Sequence, residues 1–139
     1  MIPVRNFKRF FYKTLKQPGY ALRVFCKRFG ASVSYRFGFG RSSLPEAVTL
    51  FLTHRCNLRC KMCGQWGEGG VTKNIENAVL HQELTPAQVR AVIDECARFG
   101  ANITLFGGEP LLFPGCVDLI SYIKRKGLHC LMITNGSLL

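Results

Sequence analysis

The sequence predicts an α/β fold in which parallel strands alternate with helical crossovers. Three short runs rich in apolar and β-branched residues, Val48–Thr53, Ile103–Phe106 and Leu128–Ile133, read as strands. Two amphipathic stretches with helix start and stop signals separate them. Each apolar run is followed by an unusual loop: a cysteine loop, then Gly-Gly-Glu-Pro, then Thr-Asn-Gly. A β–α–β–α–β order implies parallel strands, and parallel α/β folds build their sites at the carboxyl ends of the strands. The three loops are therefore expected to meet on one face.

Before this core lies a basic segment. Residues 5–17 (RNFKRFFYKTLKQ) set Phe7, Phe10, Phe11 and Leu15 on one helical face and basic residues on the other, and Pro18-Gly19 ends the pattern. Tyr20–Phe29 repeats it with Leu22, Phe25, Cys26 and Phe29 and is expected to stop at Gly30. Residues 30–47, with Gly38, Gly40, Ser42, Ser43 and Pro45, read as a linker. The predicted organisation is thus a basic amphipathic segment over 1–47 and an α/β core over 48–139.

Within the core, Val48–Thr53 (VTLFLT) reads as a strand buried on both faces. The cysteine loop and a polar stretch from Gly64 to Glu83 follow. Thr85 is then an N-cap with Pro86 at the first helical position, and Gln88 can close a capping box. Leu84 and Val89 are spaced for a hydrophobic staple. Val89, Val92, Ile93 and Cys96 form the apolar stripe, and Gly100 ends the helix. After the second strand, Pro114 is expected to open a helix with Cys116, Leu119, Ile120 and Ile123 on one face. Lys124, Arg125 and Lys126 suit its last turn, and Gly127 stops it.

Composition narrows the function classes. Of 139 residues, 47% are hydrophobic and 19% charged, which suits a packed core and excludes wholesale disorder. The formal charge of +11 is unevenly placed. Residues 1–45 hold ten Lys/Arg and no acid; residues 46–139 hold nine Lys/Arg and eight acids, for a net +1. A nucleic-acid reading therefore concerns the first segment alone and is disfavoured for the core. No apolar run nears the ~18 residues of a membrane span, and the start of the chain lacks a secretory pattern. Seven cysteines, an odd number, argue against a disulfide framework and for a reducing, cytoplasmic compartment.

Three cysteines crowd into His54-Arg55-Cys56-Asn57-Leu58-Arg59-Cys60-Lys61-Met62-Cys63, a C-x3-C-x2-C spacing. Three thiolates on one loop can each hold one iron of a cubane and leave the fourth iron open. Arg55, Arg59 and Lys61 would favour the thiolates. A single zinc ion with His54 as fourth ligand is the competing reading. Cys96, Cys116 and Cys130 lie on apolar faces and read as core, and His81 and His129 read as structural or exposed. Trp66 fits either core packing or a substrate wall.

C-x3-C-x2-C after a first strand, with Gly-Gly-Glu-Pro after the second, resembles the radical S-adenosylmethionine (SAM) superfamily. The matching motifs run from Val48 to Gly136, about two-thirds of the chain. The resemblance implies a partial (β/α) barrel, of which this sequence supplies the first three strands. On that comparison the chain reads as the first part of a longer core.

The resemblance further implies an enzyme with a 4Fe-4S cluster held by Cys56, Cys60 and Cys63. SAM binds that cluster and is cleaved reductively to a 5′-deoxyadenosyl radical that abstracts a substrate hydrogen. Met62 stands where the family usually has an aromatic residue beside the adenine. Gly107, Gly108, Glu109 and Pro110 match the segment that receives the SAM ammonium group, and Thr134 and Asn135 stand where the third strand offers polar groups to SAM. By the same resemblance the partners are a flavodoxin- or ferredoxin-like electron donor and an unidentified substrate, such as a peptide or cofactor precursor. For residues 5–29, packing on the barrel, binding a membrane surface and binding nucleic acid all remain open, so the location reads as cytoplasmic with peripheral membrane contact as an option.

Overall fold

The computed structural model describes residues 11, 12, 14–38 and 40–139. It divides into two compact units, Met1–Glu46 and Ala47–Leu139. Of the helix predicted over 5–17, residues 5–10 and 13 lie outside the described residues; residues 11, 12 and 14–16 are helical.

Helix α1 runs over Pro18–Phe37 with proline in its first turn. The predicted stop at Gly30 is corrected: the helix passes through it and takes in much of the expected linker. An interior glycine costs only about 1 kcal/mol against alanine, and the next helix-ending residue is Gly38, whose N–H bonds Ser34 O at 2.7 Å. No residue of α1 is buried. Phe25 and Phe29 stack at 6.3 Å while both remain exposed. Among the described residues, no helix is long and apolar enough to cross a membrane.

The second unit orders β1 (Ala47–Phe51), α2 (Asn77–Leu80), α3 (Pro86–Phe99), β2 (Asn102–Phe106), a 3-10 turn (Pro110–Leu112), α4 (Cys116–Arg125) and β3 (Cys130–Met132). The strands form one sheet in the order β1-β2-β3, parallel throughout. Ala47 pairs with Asn102 and Phe51 with Phe106; Ile103 pairs with Cys130. The register aligns the carboxyl ends, so the loops after β1 and β2 start side by side. β3 continues the same edge, with Ile133 N–H on Leu105 O at 3.0 Å.

Helix α3 starts as its residues dictate. Thr85 caps it, the capping box with Gln88 is closed in both directions, and Gly100 ends it in the left-handed region (φ 65°). Val89, Ile93 and Cys96 are buried, whereas Val92 and the expected staple residue Leu84 are exposed. Helix α4 begins at Cys116, two residues after Pro114, because Gly115 takes a left-handed conformation at the N-cap. Tyr122 of α4 donates to Asp94 of α3 at 2.8 Å, and Lys126 pairs with the same carboxylate at 2.6 Å.

The strands are not buried on both faces, which corrects the expectation for Val48–Thr53. In β1 no residue is fully buried, and in β2 only Ile103 and Leu105 are. Both crossover helices share one core with Leu52, Ile103, Leu105 and Leu128, joined by the partly buried Val48, Leu50, Cys130 and Met132. That places the helices against one side of the sheet. Residues of the other parity, Phe51, Leu131 and Ile133, are exposed.

Ile93 of α3 and Leu119 of α4 are wholly excluded from solvent. Ile93→Ala or Leu119→Ala should each destabilise the unit by about 2–5 kcal/mol. Leu131→Ala, at an exposed strand position, should cost well under half as much. Urea denaturation of the three variants checks the ranking.

Candidate functional site

The loop after β1 begins at two buried residues, Leu52 and Thr53. Two backbone hydrogen bonds tie it to the loop after β2: Gly108 N–H to Thr53 O at 2.8 Å and Glu109 N–H to Arg55 O at 2.9 Å. Gly108 has to be glycine for this approach, since a Cβ there would stand 2.3 Å from Arg55 O. Further along, Gln65 Nε2 donates to Gly107 O at 3.3 Å.

Glu109 binds the second loop to the third. Its side chain is fully buried. Oε1 accepts from Leu111 N–H at 3.0 Å and from the Thr134 hydroxyl at 2.8 Å; Oε2 accepts from Asn135 N–H at 2.8 Å. Asn135 in turn reaches the first loop, where its Nδ2 donates to Asn57 Oδ1 at 2.9 Å and lies 4.0 Å from Cys56 Sγ. Asn57 Nδ2 donates to Ser137 Oγ at 2.8 Å. All three loops are thus joined pairwise by side-chain or backbone hydrogen bonds.

The cysteine loop itself is held by short turns. Cys63 N–H bonds Cys60 O at 3.0 Å and Gly67 N–H bonds Cys63 O at 2.8 Å. A Cβ on Gly67 would stand 2.5 Å from the carbonyls of both Lys61 and Cys63, so the turn needs a glycine there. Cys56 Sγ accepts from Leu58 N–H at 3.4 Å and Cys63 Sγ from Trp66 N–H at 3.5 Å. Cys56 and Cys63 are half-buried and Cys60 is exposed. Met62 is 95% exposed.

The thiols divide by environment. Hydrogen bonds from the backbone of Trp66 and Gln65 pull the Cys63 thiol below its ordinary value. Burial pushes the thiols of Cys96, Cys116 and Cys130 up, which makes these three poor nucleophiles and poor ligands. Among the described residues, no three His, Cys, Asp or Glu side chains gather as ligands of one metal ion. His54, considered above as a fourth zinc ligand, packs its ring on Phe51 at 4.7 Å, and its Nδ1 is buried with no hydrogen-bond partner among the described residues.

One part of the site has no local sequence signal. Arg55, next to the first cysteine, forms a two-pronged ion pair with Glu83 just ahead of α3. Nε meets Oε1 at 2.7 Å and Nη2 meets Oε2 at 2.9 Å. Nη2 also donates to Leu112 O at 2.9 Å, and Thr53 Oγ1 bonds Glu83 Oε1 while accepting from Arg55 N–H at 2.9 Å. Glu83 sits 28 residues from its arginine. Only the fold reveals the pair. Trp66, left open between core and wall, does neither simply: its Nε1 donates to His54 O at 2.8 Å, and the Arg59 guanidinium lies 4.0 Å over its ring.

Residues 50–139 match the family model described as the Radical SAM superfamily. The Fe-coproporphyrin III synthase of Methanosarcina barkeri is 30% identical over 129 residues, which cover 84% of this chain and 30% of that protein. The PqqA peptide cyclase of Xanthomonas oryzae is 33% identical over 93 residues, covering 66% of this chain and 23% of that protein. The PqqA peptide cyclase of Gluconobacter oxydans is 34% identical over 98 residues, covering 70% and 25%. The chain therefore spans between about a quarter and a third of the length of these relatives.

For Glu83, burial alone would raise the carboxyl, but hydrogen bonds from Arg55 and Thr53 outweigh it and hold it below the ordinary value of 4.5. A depressed folded value contributes stability that is present above the unfolded value and is lost as pH falls through the folded one. Glu83→Gln should lower stability at neutral pH and flatten part of the loss on acidification. The gap to wild type should therefore shrink as pH drops below about 4.5. Urea midpoints measured across that range check the sign.

Proposed function

The chain belongs to the radical SAM superfamily, and on that premise we propose that it holds a 4Fe-4S cluster and SAM. The protein it forms or is part of would then cleave SAM reductively. Cys56, Cys60 and Cys63 are the cluster ligands. The observation that carries this reading is the pairwise joining of the three strand-end loops, which brings the cysteine loop against Glu109, Thr134 and Asn135.

The donor set fits the group. A cubane takes one thiolate per iron, so the ligands need not converge on one atom as they would around zinc. Backbone N–H groups directed at Cys56 and Cys63 suit thiolate sulfur. When bound, the cluster supplies the electron that splits SAM into methionine and a 5′-deoxyadenosyl radical able to abstract hydrogen.

The chain's own residues do the holding. Glu109 has spent its carboxylate on Leu111, Thr134 and Asn135, which supports a positioning role. It fixes the Gly107–Gly108 backbone beside the cysteine loop, and that backbone offers carbonyls to the SAM ammonium group. Pro110 is buried under the turn. Thr134 and Asn135 hold the third loop in reach, and Met62, exposed on the cysteine loop, supplies an apolar side chain for the adenine.

A low-potential electron donor of flavodoxin or ferredoxin type completes the reaction. A peptide or a cofactor precursor is the substrate class; the relatives include one named for a peptide and one named for an iron coproporphyrin. Residues 1–46 take no part in this reading.

Anaerobic reconstitution with iron and sulfide measurement tests the ligand set. Replacing Cys56, Cys60 or Cys63 by Ala should abolish or severely reduce iron loading, while Cys96→Ala, Cys116→Ala and Cys130→Ala should retain it. Full loading in Cys60→Ala would remove the assignment.

Glu109→Gln separates cofactor capture from cluster binding. It turns one acceptor oxygen into a donor against Asn135 N–H or the Thr134 hydroxyl. Iron content should be kept. SAM affinity, measured by equilibrium dialysis on the reconstituted protein, should fall roughly 10- to 150-fold, the equivalent of about 1.5–3 kcal/mol for a hydrogen bond to a charged group. Unchanged affinity would make Glu109 an ordinary turn residue.

A further inference from the structure

Beside the cysteine loop the surface holds a hollow of about 340 Å³ lined by Arg59, Lys61, Trp66, Gly67, Glu68 and Lys73. All six residues come from the first loop and its continuation. None comes from the loops after β2 or β3, so the hollow is no part of the place where the three loops meet. Arg59 and Lys61 flank Cys60, which is exposed.

The hollow is partly pre-shaped. Arg59 Nη1 donates to Cys56 O at 2.6 Å and Leu58 O at 2.9 Å, which fixes the guanidinium over the Trp66 ring. Trp66 is fixed in turn by its bond to His54 O. Lys73 Nζ donates to Glu68 O at 3.3 Å. Three cations therefore rim an aromatic floor against a single carboxylate, Glu68.

The geometry points to this hollow as the docking surface for an acidic protein that carries one electron to the cluster. This rests on the reading of Cys60 as a cluster ligand. Electron transfer requires the carrier's redox centre to come close to the cluster, and Cys60 is the exposed member of the three. A rim of like charge beside it draws an anionic protein surface and orients it on arrival. The step moves one electron and no atom: the reduced carrier, a flavin or iron–sulfur protein, is oxidised by one electron as the oxidised cluster is reduced by one. A small anionic substrate would suit the same cations, but it has to reach the strand ends, and no residue of the second or third loop lines this hollow.

Trp66 is the only tryptophan in the chain, so its fluorescence reports docking on the cluster-free protein. The titrant is an acidic, tryptophan-free [2Fe-2S] ferredoxin in its oxidised form. A saturable change that weakens with added salt is expected. Lys61→Glu/Lys73→Glu should weaken it on the order of tenfold or more at low ionic strength, and Lys61→Gln/Lys73→Gln by less. Arg23→Glu/Arg36→Glu makes the same charge change on α1 and should leave affinity within about twofold.

Equal weakening by the two reversed pairs, or none by the Lys61/Lys73 pair, overturns the proposal. So does a saturable response to inorganic phosphate with none to ferredoxin, which would assign the hollow to a small anion. Iron uptake is measured separately. A protein that loads iron but docks no ferredoxin overturns docking alone; one that docks ferredoxin but loads no iron overturns the cluster reading that gives the docking its purpose.

Discussion

A carboxylate shut away from water has to be met by donors, and Glu109 is met by three: one in its own loop and two in the loop after β3. Leaving such a group with a lost partner costs roughly 1–3 kcal/mol per donor or acceptor. The second and third loops therefore cannot separate without exposing or stranding that charge. Because Glu109 N–H also bonds Arg55 O, the same residue holds the entry to the cysteine loop. The positions of the three loops thus depend on one side chain and its backbone.

That arrangement works because the strands are parallel and in register. With Phe51 opposite Phe106, the chain leaves β1 and β2 at the same level, and Gly108 allows the two loops to close to hydrogen-bonding distance. The Arg55–Glu83 pair fixes the cysteine loop from a second direction, linking it to the chain ahead of α3 and to Leu112. A bidentate, half-buried pair of this kind is geometrically more specific than a surface ion pair such as Arg28–Glu46.

The sheet is finished on one side only. Both crossover helices pack against Ile103 and Leu105, and the opposite parity carries exposed Phe51, Leu131 and Ile133. The cysteines follow the same division of environments. Those within the helix-side core have thiols raised by burial, while Cys63, on a loop rich in backbone donors, has its thiol lowered. One residue type packs the core in one place and lies among backbone donors that favour its thiolate in the other.

Local patterns determined much of this protein. The capping box at Thr85 and Gln88, the glycine stop at Gly100 and the apolar spacing of Val89, Ile93 and Cys96 are short-range features, and each is legible because its energetics are settled within a turn or two of chain. The β–α–β–α–β order fixed the parallel sheet, and the C-x3-C-x2-C and Gly-Gly-Glu-Pro motifs marked the family. The end of α1 is not legible in the sequence, because a lone glycine such as Gly30 is only a weak helix breaker. One-sided strand burial was not legible in Val48–Thr53, since an apolar run looks alike whether one face or two are covered. Tertiary structure alone decided that Glu109 turns inward to Thr134 and Asn135, and that Arg55 meets Glu83. Both depend on partners more than twenty residues away in sequence, brought together only when the sheet aligns its strand ends.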